Sequence, residues 1–578
     1  MLKLDLAKTE DGKEYFKQDI IYDLETYPNC FTMAACFANG KGMRVYEISD
    51  RRNDLEEMLE FLRKAKTGGF RMVGFNNIGF DYPVLHYILG KSKSARDRGV
   101  KVEVTASEMY RVVQNMFEEN ADSRFGSAVK SSEVIMPQLD LFKINHFDNK
   151  ARMTSLKMLE NNMRSPNIED LPYPVGKVLT DDEKDVLITY NKHDVSETLK
   201  FYYYCMEGIK MRAELSGQFG FDCTNLNDTA IGKSLFVNRL ETNNPGCCYK
   251  IEQKGQYTVR KMRQTKRKNI KLGECVLPKV RFDRPEFQAI HKWFMNKTIV
   301  ETKGALSDIE EHDLGDVAKY ATMKIKSIKM NCPEQGSKNK RYVPTREHVE
   351  QMMKLHPMGW IETKELKSPK GAASYNFCWR IAEGLNVVID GFQYDFGTGG
   401  IHGSTRGVHM STDEYDLHTS DIKSMYPNCS IRNRLYPEHL GEGFCDVYED
   451  LYNERIGYDK KDPRNAALKL ALNGTYGASN DKFSPMYDPK FTMSITVNGQ
   501  LMLCMIMERI INELDGKIVM CNTDGFEYIV HKKHRERLAE IMMEWEKLTG
   551  FEMESDRYSK MLVRDVNNYI AIKEKKDD

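Results

Sequence analysis

Residues 517–530 read KIVMCNTDGFEYIV, two short apolar, β-branched runs separated by Asn522-Thr523-Asp524-Gly525. Runs of this length around an Asx/Gly turn predict a β-hairpin, here with a carboxylate at its tip. Just upstream, residues 493–514 carry the apolar spacing of a long helix. Further upstream, residues 415–422 read as a strand closing on Asp421, followed by Ile422-Lys423-Ser424-Met425-Tyr426-Pro427. Between the two acids, helices are predicted near 447–455 and 463–474, the second opened by Asp462-Pro463, a cap and first-turn pair. Lys469, Asn473 and Tyr476 share one face of that helix, with Gly477 beside them. Ahead of all these, residues 386–396 read as strand and turn and lead into GTGG at 397–400, where Gly399 and Gly400 permit close backbone approach.

The opposite end of the chain has α/β character: IIYDLE from Ile20, TMAACFA from Thr32, a helix over 54–64 and the strand RMVGFN from Arg71. Asp23 and Glu25 are two apart on a strand, so both project from one face. With 85 acidic residues among 578, such a pair arises by chance about a dozen times and means little by itself. Two further features add to it. Asn76, Phe80 and Asp81 stand at a predicted strand end, and Tyr190 and Asp194 lie one turn apart on a helix predicted over 181–214. Thr180 and Glu183 form the capping box that opens this helix. If the fold gathered these four acids, they could supply the metal-activated nucleophile and the second cation on the leaving oxygen that hydrolysis of a phosphodiester needs.

In order and spacing, the segment from Ile20 to Tyr204 resembles the three exonuclease motifs of the DnaQ-like fold that opens family B DNA polymerases. The resemblance implies that Asp23, Glu25, Asp81 and Asp194 hold two Mg²⁺ ions, that Tyr190 orients the attacking water, and that Asn76 and Phe80 contact the primer end. Ser155-Leu156-Lys157 is similar to a sequence between the second and third motifs, while Asp140 and His193 read as structural. Residues 421–427 resemble motif A of the same family, with Met425 for leucine. Asp421 and Ile422 then belong to a metal set, Ser424 and Tyr426 to the nucleotide site, and Tyr426 acts as a gate against a 2′-hydroxyl. Lys469, Asn473, Tyr476 and Gly477 match motif B, with Gly474 for serine, and Lys469 meets the triphosphate. Asn522-Thr523-Asp524 stands where motif C carries Asp-Thr-Asp. Asp524 matches the second carboxylate, and Asn522 replaces the first. Gly399 and Gly400 resemble the element whose main chain approaches template phosphates. Asn567-Asn568-Tyr569 resembles the primer-contacting Lys-x-Tyr, with Asn567 for lysine. Apart from the resemblance, the charges of Arg455, Lys460 and Lys461 near the loop between the paired helices are expected to make further phosphate contacts.

At about 150 residues per domain, 578 residues suggest about four units. The expected organisation is α/β and α+β multidomain. A DnaQ-like (RNase H-like) exonuclease occupies 1–215, a connecting region 216–385, a family B palm 386–444, helical fingers 445–480 and the rest of the palm 481–578. With 41% apolar and 29% charged residues, wholesale disorder and a fibrous structure are excluded. No apolar run approaches the ~20 residues of a membrane span. The start lacks a signal-type stretch, so the expected location is the cytoplasm, a host's if the chain is viral, without membrane contact. Thirteen cysteines without a CxxC pair argue for reduced core residues. The 85 basic and 85 acidic side chains cancel, but residues 250–271 form a basic strip suited to phosphates.

These features predict template-directed DNA synthesis with 3′→5′ proofreading. The expected partners are primer-template DNA and dNTPs, and the cofactor is Mg²⁺, two per site, with Mn²⁺ equally suited to carboxylate oxygens. The few residues after Tyr569 leave no room for a thumb, which is expected on a second polypeptide or lost by truncation; a processivity factor is a further expected partner. The alternatives are an exonuclease with a degenerate DNA-binding palm and a noncatalytic primer-template-binding subunit.

Overall fold

The computed structural model describes residues 4–574 except 123–127, 148, 150–151, 256, 331, 334–341 and 366–372. The chain is a mixed α/β protein of two units, Met1–Gly232 with Lys460–Leu470, and Lys233–Asp459 with Ala471–Asp578.

In the first unit the elements are β1 (Asp19–Tyr27), β2 (Cys30–Phe37), β3 (Arg44–Ser49), α1 (Leu55–Thr67), β4 (Arg71–Gly74), α2 (Asp81–Asp97), α3 (Ala106–Asp122), β5 (Gln138–Asp140), α4 (Leu156–Asn162), α5 (Asp181–Tyr204) and α6 (Met206–Phe219). The sheet runs β3-β2-β1-β4-β5, antiparallel up to β1 and parallel beyond it. Period-2 alternation makes β1 a two-faced strand. Ile20, Tyr22 and Leu24 join the core under α1, α2 and α3. Ile21 faces the opposite core, where Val195 of α5 packs. Asp23 and Glu25 share the face of Ile21, and are therefore carried toward α5. Each large apolar side chain so buried contributes about 1.5–3 kcal/mol.

The parallel β1/β4 register pairs Asp19 with Arg71. The Arg71 guanidinium donates two hydrogen bonds of 2.8 Å to Asp19, which also accepts from the Tyr202 hydroxyl at 2.7 Å. Both partners are buried. Arg71→Met leaves that carboxylate without its cation, and is expected to lower stability by about 3 kcal/mol, measured as an earlier urea midpoint of the first unit.

The Thr180/Glu183 capping box is present. The helix expected over 181–214 is two helices, because the Cys205 N–H turns to the carbonyls of Phe201 and Tyr202 and the ladder restarts in α6.

In the second unit the elements are β6 (Ala373–Ile389), β7 (Phe392–Phe396), β8 (Ile401–Ser404), β9 (Gly407–Met410), β10 (Tyr415–Ile422), α7 (Met425–Asn433), α8 (Gly443–Ile456), α9 (Pro463–Ser479, its first part grouped with the first unit), α10 (Pro489–Leu514), β11 (Lys517–Asn522), β12 (Gly525–His531), α11 (Arg535–Thr549), β13 (Met553–Asp565) and β14 (Asn568–Lys573). They build a twelve-stranded antiparallel sheet ordered β6-β7-β8-β11-β12-β10-β13-β9. Ser307–Glu310, Lys324–Lys329 and Trp360–Glu365 are added on β6, and β14 on β13. The central helix α10 is buried along most of its length, as a helix apolar on every side must be. Asp488 caps it, accepting from the Lys490 N–H, and Pro489 fills the first turn. The Trp545 indole of α11 donates to the Met502 carbonyl at 2.8 Å.

Residues 216–385, expected to be a connector, supply much of this sheet, and β6 runs across residue 385. The linker expected over 243–255 holds a strand, Tyr249–Lys254, paired with Tyr257–Met262. Of the loop expected over 333–339, residues 334–339 lie outside the described residues. Among the described residues no helix is long and apolar enough to cross a membrane, and the twelve cysteines whose side chains are described are buried and free.

Candidate functional site

In the first unit, carboxylate oxygens of Asp23, Glu25 and Asp194 lie within 4.8 Å of one another. Asp81 completes the group. It is the first residue of α2 rather than a strand end, because Asn76 (φ 60°) turns the chain out of β4 before the helix begins. Asp140, read as structural, holds that turn by accepting from the backbone N–H groups of Asn76 at 2.9 Å and Ile78 at 3.2 Å. Asp81 Oδ1 in turn accepts from the Leu24 N–H, between Asp23 and Glu25, at 3.1 Å. Asn76 is exposed at this corner and Phe80 half-buried against Phe117. Tyr190 is buried with its hydroxyl beside Asp194.

Burial, then the charges of Asp81, Glu25 and Asp194, hold the Asp23 carboxyl well above the usual range. Glu25 is raised by burial, then by Asp194 and Asp81. Burial pushes Asp81 up to about 8 and Asp194 up to about 7, with neighbouring carboxylates adding to each. Such mutually repelling oxygens are the donor set that hard divalent cations take.

One residue here escaped sequence reading. Asn191 donates to Asp23 Oδ2 at 2.8 Å, and its own carbonyl accepts from Thr32 Oγ1 at 3.0 Å. This chain of two bonds fixes which way the Asp23 carboxylate faces.

In the second unit, Asp421 near the end of β10 lies directly opposite Gly525 on β12 and Glu554 on β13. The Ile422 N–H donates to the Asp524 carbonyl at 2.8 Å, which draws the hairpin tip onto the strand that carries Asp421. The turn is tight. Thr523 takes φ 61°, costly for a β-branched residue, and its N–H donates to the Ile401 carbonyl at 2.8 Å. Both residues are solvent-exposed, yet crowding by protein raises them, Asp421 further by the Glu554 charge and Asp524 by that of Asp421. These two carboxylates also suit a hard cation. The Asn522 side chain instead donates to the Val566 carbonyl at 3.5 Å.

A third carboxylate, Glu527, was not expected. It is buried opposite Thr419, from whose hydroxyl Oε1 accepts, while Oε2 has no hydrogen-bond partner. Burial and then the Asp421 charge push it up to about 7.

Tyr426 and Tyr476 stack with ring centroids 4.5 Å apart and planes 8° from parallel. The Tyr426 hydroxyl donates to the Gly399 carbonyl at 2.8 Å and the Tyr476 hydroxyl to the Thr398 carbonyl at 3.1 Å, so two motif tyrosines fix the glycine loop. The two glycines differ. A Cβ on Gly400 would stand 3.0 Å from Thr523, whereas one on Gly399 would meet nothing within 4 Å. Only Gly399 has open space before it. Ser424 caps α7 in the left-handed region (φ 49°).

Lys469, Asn473 and Gly477 are exposed on α9, while Lys460 and Lys461 precede that helix and Arg455 ends α8. Tyr569 lies on β14 opposite Val563 and borders an open groove of about 580 Å³ with Arg406 and Arg564.

Much of the basic strip is engaged within the unit. Arg267 pairs with Asp488 and Glu438, Arg263 donates to the Gly246 carbonyl, and Arg260 stacks over the Tyr249 ring. Lys250, Lys254, Lys266 and Lys268 remain exposed. A nearby group, Glu241 with Cys247 and Cys248, resembles a metal site. However, the Glu241 oxygens already accept from the N–H groups of Gly246, Cys248 and Tyr249.

No family model matches the chain, and no curated protein matches it. Among solved structures it is similar to the family B DNA polymerase from the hyperthermophilic archaeon Pyrobaculum calidifontis, at 12% identity and a TM-score of 0.40. The alignment covers 99% of this chain and 63% of that one, so the chain spans less than two thirds of that protein's length.

Proposed function

We propose that the chain is a DNA-directed DNA polymerase with a 3′→5′ exonuclease, synthesis residing in the second unit and primer shortening in the first. The observation that carries it is the β10/β12 register, which sets Asp421 against the hairpin tip bearing Asp524, beneath a glycine loop tied down by Tyr426 and Tyr476. That arrangement joins the three sequence motifs, and the carboxylate group around Asp23 supports a separate hydrolytic site.

Asp23, Glu25, Asp81 and Asp194 would hold divalent cations in the first unit, and Asp421 and Asp524 in the second. Such cations supply charge neutralisation and Lewis acidity at the phosphoryl oxygens. The protein's part is positioning. Asn191 holds one oxygen of Asp23 by a hydrogen bond, and the Tyr190 hydroxyl beside Asp194 would align a water with the primer's last phosphodiester. In the second unit the stacked tyrosines form a floor for the incoming sugar, where Tyr426 gates against a 2′-hydroxyl. The main chain at Gly399 can approach a template phosphate. By motif position alone Lys469, on the part of α9 grouped with the first unit, is the cation for the triphosphate. Arg455, Lys460 and Lys461 are further phosphate contacts, and Tyr569 contacts the primer. Primer-template DNA, dNTPs and Mg²⁺ or Mn²⁺ are the corresponding ligands.

A 5′-labelled primer on a longer template, incubated with Mg²⁺ with and without dNTPs, tests this reading. Wild type extends and shortens the primer, Asp524→Ala loses extension alone, and Asp23→Ala loses shortening alone. The Asn522 amide, turned to Val566, favours a second reading in which the second unit only binds DNA. Shortening without extension at high enzyme concentration would establish it.

A further inference from the structure

Glu160 on α4 and His193 on α5 meet beside Asp194, on ground that the two-site reading leaves unused. Ligand atoms of Glu160, His193 and Asp194 all lie within 4.8 Å of one another, and His193 Nε2 is 3.3 Å from Glu160 Oε2. Two ligands held about 2.1 Å from one cation at a right angle are about 3 Å apart, so this separation suits neighbouring positions in a coordination shell. Glu160 is 1% exposed. Burial of a carboxylate at that depth is costly unless a hydrogen bond or a positive charge compensates it, and the His193 ring supplies one such contact. Asp194 belongs to two groups at once, this one and the group with Asp23 and Glu25. A carboxylate has two oxygens, so one residue can serve a cation in each group.

We propose that Glu160, His193 and Asp194 form an additional cation site flanking the carboxylate cluster, with a mixed nitrogen and oxygen donor set. An imidazole ligand favours transition dications such as Co²⁺ or Zn²⁺ over Mg²⁺, which prefers oxygen, and Mn²⁺, which takes oxygen and nitrogen ligands alike, is the paramagnetic probe of the site. The donor set therefore differs in kind from the all-oxygen group beside it. Sharing Asp194 makes occupancy of the two sites interdependent.

The experiment is pulsed electron paramagnetic resonance of the full chain with Mn²⁺, read for the nitrogen coupling of directly bound imidazole. The wild-type protein is expected to show this coupling, with the change in pattern that ¹⁵N-histidine labelling imposes. His193→Gln is expected to remove it and to weaken binding of one Mn²⁺ per chain by at least about 10-fold, since even loss of an outer-shell partner costs about that much. Asp23→Asn is expected to retain the nitrogen coupling, because Asp23 belongs to the other group. Absence of nitrogen coupling in the saturated wild-type protein overturns the proposal, and requires no variant to fold. Coupling that persists in His193→Gln overturns it as well, leaving Glu160 and His193 as a structural hydrogen-bonded pair. No DNA is present, so a wild-type protein that failed to shorten primers would end the nuclease reading without deciding this one.

Discussion

Alanine in place of Gly525 lowers primer extension about 100-fold, the scale expected when a catalytic group is misplaced by about 1 Å, while primer shortening and the melting temperature stay near wild type. Gly525 faces Asp421 across the β10/β12 pair, and a Cβ there would stand 1.8 Å from Asp421 Oδ1 and 2.8 Å from its Cγ. No real Cβ tolerates that approach, so the carboxylate must swing away. Because the displaced group is the free end of a flexible side chain, the fold yields at little cost. The Ser420 carbonyl, at 3.3 Å, is the only backbone atom among the nearest neighbours of that Cβ. Stability and catalysis should therefore separate cleanly. Extension by Gly525→Ala within a few-fold of wild type would show that Asp421 does not act from the position seen here, and would weaken the assignment of synthesis to this corner.

Gly525 also illustrates what could be read in the chain and what could not. Its place in Asn-Thr-Asp-Gly predicts a turn, and a turn is found. The need for glycine, however, comes from the space claimed by Asp421 on a strand more than a hundred residues earlier, and it is Thr523 that takes the left-handed conformation. Asp23 and Glu25 were legible because strand periodicity is local, and Tyr190 with Asp194 because helical periodicity is. Asn191 was not, since its role depends on α5 packing over β2, where Thr32 lies 159 residues away. Glu527 and Glu554 were hidden for the same reason. They reach Asp421 only because the sheet inserts β10 between β12 and β13. Residues 224–385 showed no catalytic pattern, and three of their strands, Ser307–Glu310, Lys324–Lys329 and Trp360–Glu365, find their partner in β6, across the assembled sheet. The basic strip was legible as charge alone. Its hairpin, and the commitment of Arg267 to a buried carboxylate of Asp488, are tertiary facts.

The carboxylate cluster of the first unit makes stability depend on pH and cations with a definite sign. Folding raises Asp81 to about 8 and Asp194 to about 7 from the ordinary carboxylate range. Between that range near 4 and the raised values, the folded chain holds protons that the unfolded chain has released, so stability falls as pH rises through this window. In EDTA, the first unit should melt lower at pH 8 than at pH 5.5. Asp81→Asn keeps an oxygen to accept from the Leu24 N–H and removes one of the crowded charges. It is expected to raise the melting temperature in EDTA at pH 8 by about 4–8 °C, on the order of 2 kcal/mol, and to have little effect at pH 5.5. A divalent cation that binds only the folded state stabilises it by mass action. Saturating Mg²⁺ should therefore restore the wild-type protein at pH 8 and help Asp81→Asn much less, while primer shortening by the variant is lost. The same substitution thus stabilises the cation-free chain and disables it, which a merely structural aspartate would not do. A variant that melts lower than wild type in EDTA at pH 8 would mean that Asp81 is held by compensating contacts, and that the cluster does not require a cation.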